Sequence, residues 1–207
     1  MKVAIVDYSM GNLGSVIRAL AELGADAFIA GRPEQLAAAE RIVLPGVGSF
    51  ADGMAHLAAH GWTEAIRQAV FAGRPLLGIC LGMQLLASRG TEGGDYAGLG
   101  LIPGEVSRLT ALGCGQRIPH VGWNNIRVVG NSGGLFVGIP NGTDFYFVHS
   151  FAFQATEISD VLADVNYGIT FPAAVGRGHV FGAQFHPEKS SRAGFRLLRN
   201  FLDYKPC

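Results

Sequence analysis

Two short segments carry residue types that together perform nucleophilic chemistry. The first is Gly78-Ile79-Cys80-Leu81-Gly82. A thiol between two glycines, where an apolar run meets a helical pattern, is the cysteine counterpart of a G-x-S-x-G elbow. Such a strand-to-helix turn lifts the central side chain above the sheet edge. The position suits a thiolate, because a helix N-terminus carries partial positive charge. The amide of Leu81, next in the chain, would point into the same space as a donor to a developing oxyanion. Taken alone, the segment reads equally well as a buried cysteine in a glycine-rich packing turn.

A thiolate nucleophile needs a base, and the base needs a group that orients it. His186-Pro187-Glu188 supplies both types. Residues two apart in an extended segment face the same way, and proline favours extension at the residue before it. Glu188 is therefore expected beside the His186 ring, with the other ring nitrogen toward the thiol. Pro45-Gly46-Val47-Gly48 also follows an apolar run; its glycines let backbone approach a substrate and turn an N–H toward it, a second oxyanion element. His56 and His60 stand four apart on a helical pattern with no third ligand, and His179 falls in a hairpin turn. These three read as structural or solvated, and no metal or cofactor is expected.

The elements that must position these groups follow from periodicity. Val3 to Val6, Ala27 to Ile29, Arg41 to Leu44 and Pro75 to Ile79 are short apolar runs. Helical patterns separate them: Leu13 to Leu23, a segment from Pro33, Ala51 to Ala59 and Thr63 to Ala72, with Leu81 to Ala87 after the last run. Apolar runs joined by helices imply a parallel sheet covered on both faces. The second half instead shows strand-like runs between Gly, Asn and Pro turns: Val106 to Leu109, Asn125 to Val129, Phe145 to Val148, Val161 to Val165, Ala173 to Arg177 and His179 to Ala183. A last helical pattern spans Gly194 to Tyr204. The expected fold is α/β: one domain over residues 1–207, with a mixed, mostly parallel sheet flanked by helices.

Composition narrows the function. The 207 residues carry 16 Lys+Arg against 16 Asp+Glu, and only 15% are charged, against roughly 25% in an ordinary domain. Disorder is excluded by high hydrophobicity with no net charge, and the neutral balance disfavours nucleic acid. No apolar stretch approaches the ~20 residues of a membrane helix, and the N-terminus lacks a signal-peptide core. Cys80, Cys114 and Cys207 are odd in number and form no C-x-x-C, which suits a reducing cytoplasm. The shortage of charge suggests that part of the surface is normally covered.

These segments together resemble the class I, triad-type glutamine amidotransferases: PGVGSF around Val47, GICLGMQ around Cys80 and HPEKS from His186. The resemblance covers essentially the whole chain and implies that family's flavodoxin-like fold. It implies L-glutamine as substrate, Cys80 as nucleophile, His186 as general base and acid, and Glu188 as the group orienting His186. It places Val47 and Leu81 amides in the oxyanion hole, Gly48 on the pocket wall, and Gln84 at the glutamine-binding position. Val148-His149-Ser150-Phe151 matches the strand end whose backbone holds the amino-acid end of the substrate. Finer features (Asp7-Tyr8, Gly11-Asn12-Leu13 and His120 to Asn124) are similar to one branch of the family. Its members form a heterodimer with a (β/α)₈ cyclase subunit, which uses the ammonia to make imidazole glycerol phosphate and an aminoimidazole carboxamide ribotide in histidine biosynthesis. Trp123, expected in a loop, and Lys189 are assigned to that interface. The glycine-rich stretch Gly90 to Gly100 receives no functional assignment.

Overall fold

The computed structural model describes residues 1–129 and 134–205; Cys207 lies outside them. The first half alternates strand and helix: β1 (Lys2–Val6), α1 (Leu13–Glu22), β2 (Asp26–Ala30), β3 (Arg41–Gly46), α2 (Phe50–Ala59), α3 (Trp62–Phe71), β4 (Leu76–Cys80) and α4 (Leu81–Leu85). The strands are parallel neighbours in the order β2-β1-β3-β4. Val3, Ile5, Val43, Leu77 and Ile79 pack on one face with Val16 and Leu20 of α1. Ala4, Val6, Ile42, Leu44 and Leu76 pack on the other with Leu57 and Ile66 of α2 and α3. Burial on both faces is why these runs are continuously apolar, and each fully buried Leu or Ile contributes roughly 1.5–3 kcal/mol.

The segment from Pro33 is a 3₁₀ helix, Pro33–Ala38. β3 runs on through Pro45 and Gly46, which pair with Ile79 and Cys80. The turn that the glycines announce therefore begins at Val47.

The second half adds β5 (Arg89–Gly90), β6 (Tyr96–Ala97), β7 (Gly104–Arg108), β8 (His120–Val128), β9 (Thr143–His149), β10 (Phe151–Ala155), β11 (Val161–Asn166), β12 (Thr170–Arg177), β13 (Val180–Ala183) and α5 (Ser191–Asp203). The main sheet has the order β2-β1-β3-β4-β13-β12-β11-β8-β9, and a smaller sheet the order β10-β7-β5-β6. β13 returns parallel to β4, and the pairings from β13 outward to β9 are antiparallel. The parallel half carries the elbow; the antiparallel half builds the wall facing it.

Two features of this half were not legible in the sequence. β8 starts at His120, so the run containing Trp123 is strand rather than loop: His120 pairs with His149 and Trp123 with Tyr146. Gly122 and Asn124, poor strand formers, hide its alternation. The chain also leaves the main sheet at Ser150 and enters the small one as β10, paired with β7. Leu197, Leu198 and Phe201 of α5 close the face shared with α1. Among the described residues, no helix is long and apolar enough to cross a membrane.

Candidate active site

Cys80 closes β4 with φ 54° and ψ −111°, a left-handed conformation that costs a non-glycine residue about 1–3 kcal/mol. The flanking glycines are required by space. A Cβ on Gly78 would lie 2.5 Å from the Gly82 carbonyl oxygen, and one on Gly82 only 1.8 Å from the Leu44 oxygen. The elbow is thus pressed directly against β3, and the strain at Cys80 is held by backbone on both sides.

Parallel pairing of β13 with β4 sets Ala183 beside Ile79, so the segment leaving β13 emerges at the same sheet edge as Cys80. His186 is extended, but Pro187 to Lys189 form a 3₁₀ turn. The turn, rather than extended alternation, folds Glu188 back onto the ring, because proline starts a helical turn readily. His186 Nδ1 lies 2.8 Å from Glu188 Oε1, with both side chains buried. The Ser190 hydroxyl donates to the His186 carbonyl at 2.6 Å and accepts from the Tyr146 amide, while the His186 amide donates to the Tyr146 carbonyl. These bonds clamp the histidine loop onto β9.

Among the described residues, His186 Nε2 has no hydrogen-bond partner of ordinary geometry; Cys80 is the neighbour that acts on the ring beside Glu188. Burial alone would lower the affinity of His186 for its proton. Cys80 and Glu188 outweigh that and raise its pKa to about 9. The ring is therefore an imidazolium at neutral pH, fixed by a carboxylate and placed to give a proton away.

A cavity of about 280 Å³ opens on this edge and is lined by Val47, Gly48, Cys80, Leu81, Gln84, His149, Ser150, Phe151 and His186, all singled out in the sequence. Glu188 stands behind His186. Trp123 and Lys189 lie outside the cavity, both exposed.

The oxyanion expectation needs one correction. The Val47 amide donates to the Met10 carbonyl at 3.0 Å and does not face the cavity. The loop after β1 brings that carbonyl over the Val47-Gly48 turn, and a backbone N–H takes the acceptor within reach. Leu81, at the first position of α4, keeps an amide for which the helix itself has no acceptor. Leu81 lines the cavity, whereas the Val47 amide is turned away from it.

The glutamine amidotransferase class-I family matches residues 4–204. The chain belongs to that family. It is 52% identical over 199 residues to imidazole glycerol phosphate synthase subunit HisH of Moorella thermoacetica, covering 96% of this chain and 93% of that one. It is 45% identical over 201 residues to subunit HisH 1 of Campylobacter jejuni, covering 97% and 98%. Among solved structures it is similar in fold to PurLQS from Thermotoga maritima, with TM-score 0.77, 22% identity and 98% of each chain covered. A crystal structure of a glutamine amidotransferase gives TM-score 0.76, 23% identity and 97% coverage of each chain.

Some residues at this candidate site escaped the sequence reading. Glu92 lines the cavity and its carboxylate accepts from the Phe50 amide at 2.8 Å; a single acid in a glycine-rich stretch gives no spacing signal. Gln184, wholly buried, reaches toward the Cys80 sulfur with Nε2 at 3.9 Å. Its place two residues before His186 was the available clue. Tyr8, named in the sequence for the resemblance alone, is buried; among the described residues its hydroxyl has no partner, and burial, then the proximity of Cys80, raises its pKa.

Outside the cavity, Trp123 is 55% exposed and meets Tyr146 edge-on. Val121 and Val148, partners across β8 and β9, are exposed beside it; Val47, also exposed, lines the cavity. Val121, Trp123 and Val148 form an apolar rim on one face of β8 and β9, which meets the cavity at Val148. His179 donates from Nε2 to the Val70 carbonyl at 2.7 Å, and His60 from Nδ1 to the His56 carbonyl at 2.9 Å. Both act within the fold, and no group of three His, Cys, Asp or Glu among the described residues is placed to hold a metal.

Proposed function

We propose that this chain hydrolyses L-glutamine to glutamate and ammonia through a Cys80 thioester. In this reading it passes the ammonia to a (β/α)₈ cyclase subunit, as half of an imidazole glycerol phosphate synthase. The observation that carries the reading is the Glu188–His186–Cys80 arrangement at one edge of a cavity of glutamine size. Identity of 45–52% to HisH subunits along nearly the full chain supports the synthase assignment. The free thiols of Cys80 and Cys114 suit a reducing, cytoplasmic setting.

In the reaction, the Cys80 sulfur attacks the carboxamide carbon while the Leu81 amide receives the oxyanion. The carbon–nitrogen bond breaks, and the proton on His186 leaves with the nitrogen as ammonia. A water then gives its proton to His186 Nε2 and attacks the thioester; the carbon–sulfur bond breaks, releasing glutamate. Glu92 supplies the carboxylate that the substrate's ammonium group would meet, and the Val148–Phe151 segment the opposite wall.

Because the Val47 amide is held by Met10, the resting chain lacks one oxyanion donor, a loss worth on the order of 10²–10³ in rate. Rotation of the Val47 peptide on partner binding would complete the hole. The test measures glutamate release by the chain alone, with the cyclase subunit, and with the subunit plus its ligand. Rates rising across that series support the reading; equal rates sink the gating. Failure of a glutamine-like electrophile to label Cys80 sinks the enzyme assignment.

A further inference from the structure

An unbroken polar path crosses the apolar interior from β8 to the nucleophile, and the direction of each donor is fixed by its neighbour. The Phe151 carbonyl only accepts, so His149 carries its proton on Nδ1, 2.8 Å away. In the neutral ring His149 Nε2 is then bare and accepts from His120 Nδ1 at 3.0 Å. That leaves His120 Nε2 bare, facing the Asn124 amide at 3.3 Å. From the other side, Gln84 Nε2 donates to the same Phe151 carbonyl and to Gln184 Oε1, each at 3.0 Å. Gln184 Nε2 continues to the Cys80 sulfur.

Both rings are buried, and His120 is stacked between Phe147 and Tyr167. Burial keeps them neutral, lowering His120 to about 4 and His149 to about 3. Two apolar rings would fill this space without a polar group to satisfy. A fully satisfied polar chain instead selects one arrangement of the groups it joins, since each misplacement leaves a buried donor or acceptor unpaired. The groups at its inner end, Phe151 and Gln84, form part of the cavity wall. His120 does not line the cavity; its ring is hydrogen-bonded to His149, which does.

We propose that His120 is a positioning residue for the substrate: acting through His149, it fixes the Phe151 carbonyl and thereby Gln84, so that strand β8 sets the shape of the pocket. This rests on the reading of the cavity as a glutamine site. The outer end of the path, Asn124, adjoins exposed Trp123 on β8, so a partner seated on that strand bears directly on the relay.

His120→Phe keeps a stacked ring and removes the Nδ1 donor, whereas His120→Asn keeps an amide donor at nearly the same place. The expected result is a glutamine KM raised about three- to tenfold in His120→Phe, the worth of one ordinary hydrogen bond, with kcat little changed. His120→Asn returns KM most of the way to wild type. Nitrogen-15 spectra of histidine-labelled wild-type protein show His120 and His149 protonated on Nδ1 and bare on Nε2. An unchanged KM in His120→Phe, or equal losses in both variants, overturns the proposal. So does a spectrum with either proton on Nε2, which decides the matter even if His120→Phe fails to fold. A wild-type chain releasing no glutamate, with or without its partner, overturns the glutamine reading and this proposal with it. An active wild type with an indifferent His120→Phe overturns this proposal alone.

Discussion

His186 Nδ1 and Glu188 Oε1 lie 2.8 Å apart, and neither side chain reaches solvent. The carboxylate fixes the ring and, with Cys80, holds its proton to about pH 9. In Glu188→Gln the carboxylate's share of that support is lost while burial still acts against the charge, so the ring loses its proton at lower pH. The expected outcome is a kcat for glutamine lower by about 10²–10⁴, and an alkaline limb of the kcat/KM–pH profile that moves below its wild-type position. The raised pKa also contributes stability that is complete below the free-histidine value near 6.5 and lost as pH rises through 9. Denaturant midpoints of the two proteins should therefore differ most below pH 6.5 and converge above 9.

The left-handed backbone at Cys80 predicts a trade of stability for activity. Glycine adopts φ 54° without strain, so Cys80→Gly is expected to be more stable by about 1–3 kcal/mol, less the thiol's lost packing. Thermal unfolding should show a midpoint higher by a few degrees, and glutamine hydrolysis should be absent. A lower midpoint would show that the turn is not strained.

His120 and His149 set the acid limit. Their folded pKa values, about 4 and 3, lie below the free value near 6.5, so the unfolded chain binds protons that the folded rings refuse. Stability from these groups is complete above 6.5 and drains away as pH falls toward 4. Urea midpoints should fall steadily from pH 7 to 4.5 in wild type. The slope should be shallower in His149→Gln, although its midpoint at pH 7 is lower because the Phe151 carbonyl loses a donor.

Trp123, exposed on β8 beside Val121 and Val148, is the large aromatic of the apolar rim. If the rim seats the cyclase subunit, Trp123→Ala weakens that complex by about 2 kcal/mol or more, the range of an interface hot spot. The thermal midpoint of the free chain should stay within about 1 °C, since little core packing is removed. Titration calorimetry against the cyclase subunit reads the first effect and a thermal melt the second. An unchanged affinity would move the interface elsewhere.

Particular elements show how far the sequence could be read. The parallel strands were legible because burial on both faces makes their runs apolar from end to end. The elbow was legible because Gly78 and Gly82 are sterically obligatory. β8 was misjudged because Gly122 and Asn124 interrupt its alternation on a face open to solvent, and β10 because nothing local marks a strand that changes sheets at Ser150. The shortage of charge also found a partial place: Val121, Trp123 and Val148 stand exposed together on β8 and β9, while Phe71 and Ile158 stand exposed elsewhere.

By itself the sequence determined the chemistry: a thiol in an elbow, a histidine with a carboxylate two residues on, and glycine turns at strand ends. Residue type and near-neighbour spacing are local quantities. Only the tertiary structure decided that β13 runs parallel to β4 and so delivers His186 to Cys80, that Met10 holds the Val47 amide away from the cavity, and that buried histidines join β8 to the pocket. Each is a contact between residues far apart in the chain. Such contacts are selected by packing and by the need to satisfy every buried polar group, and no local pattern encodes either.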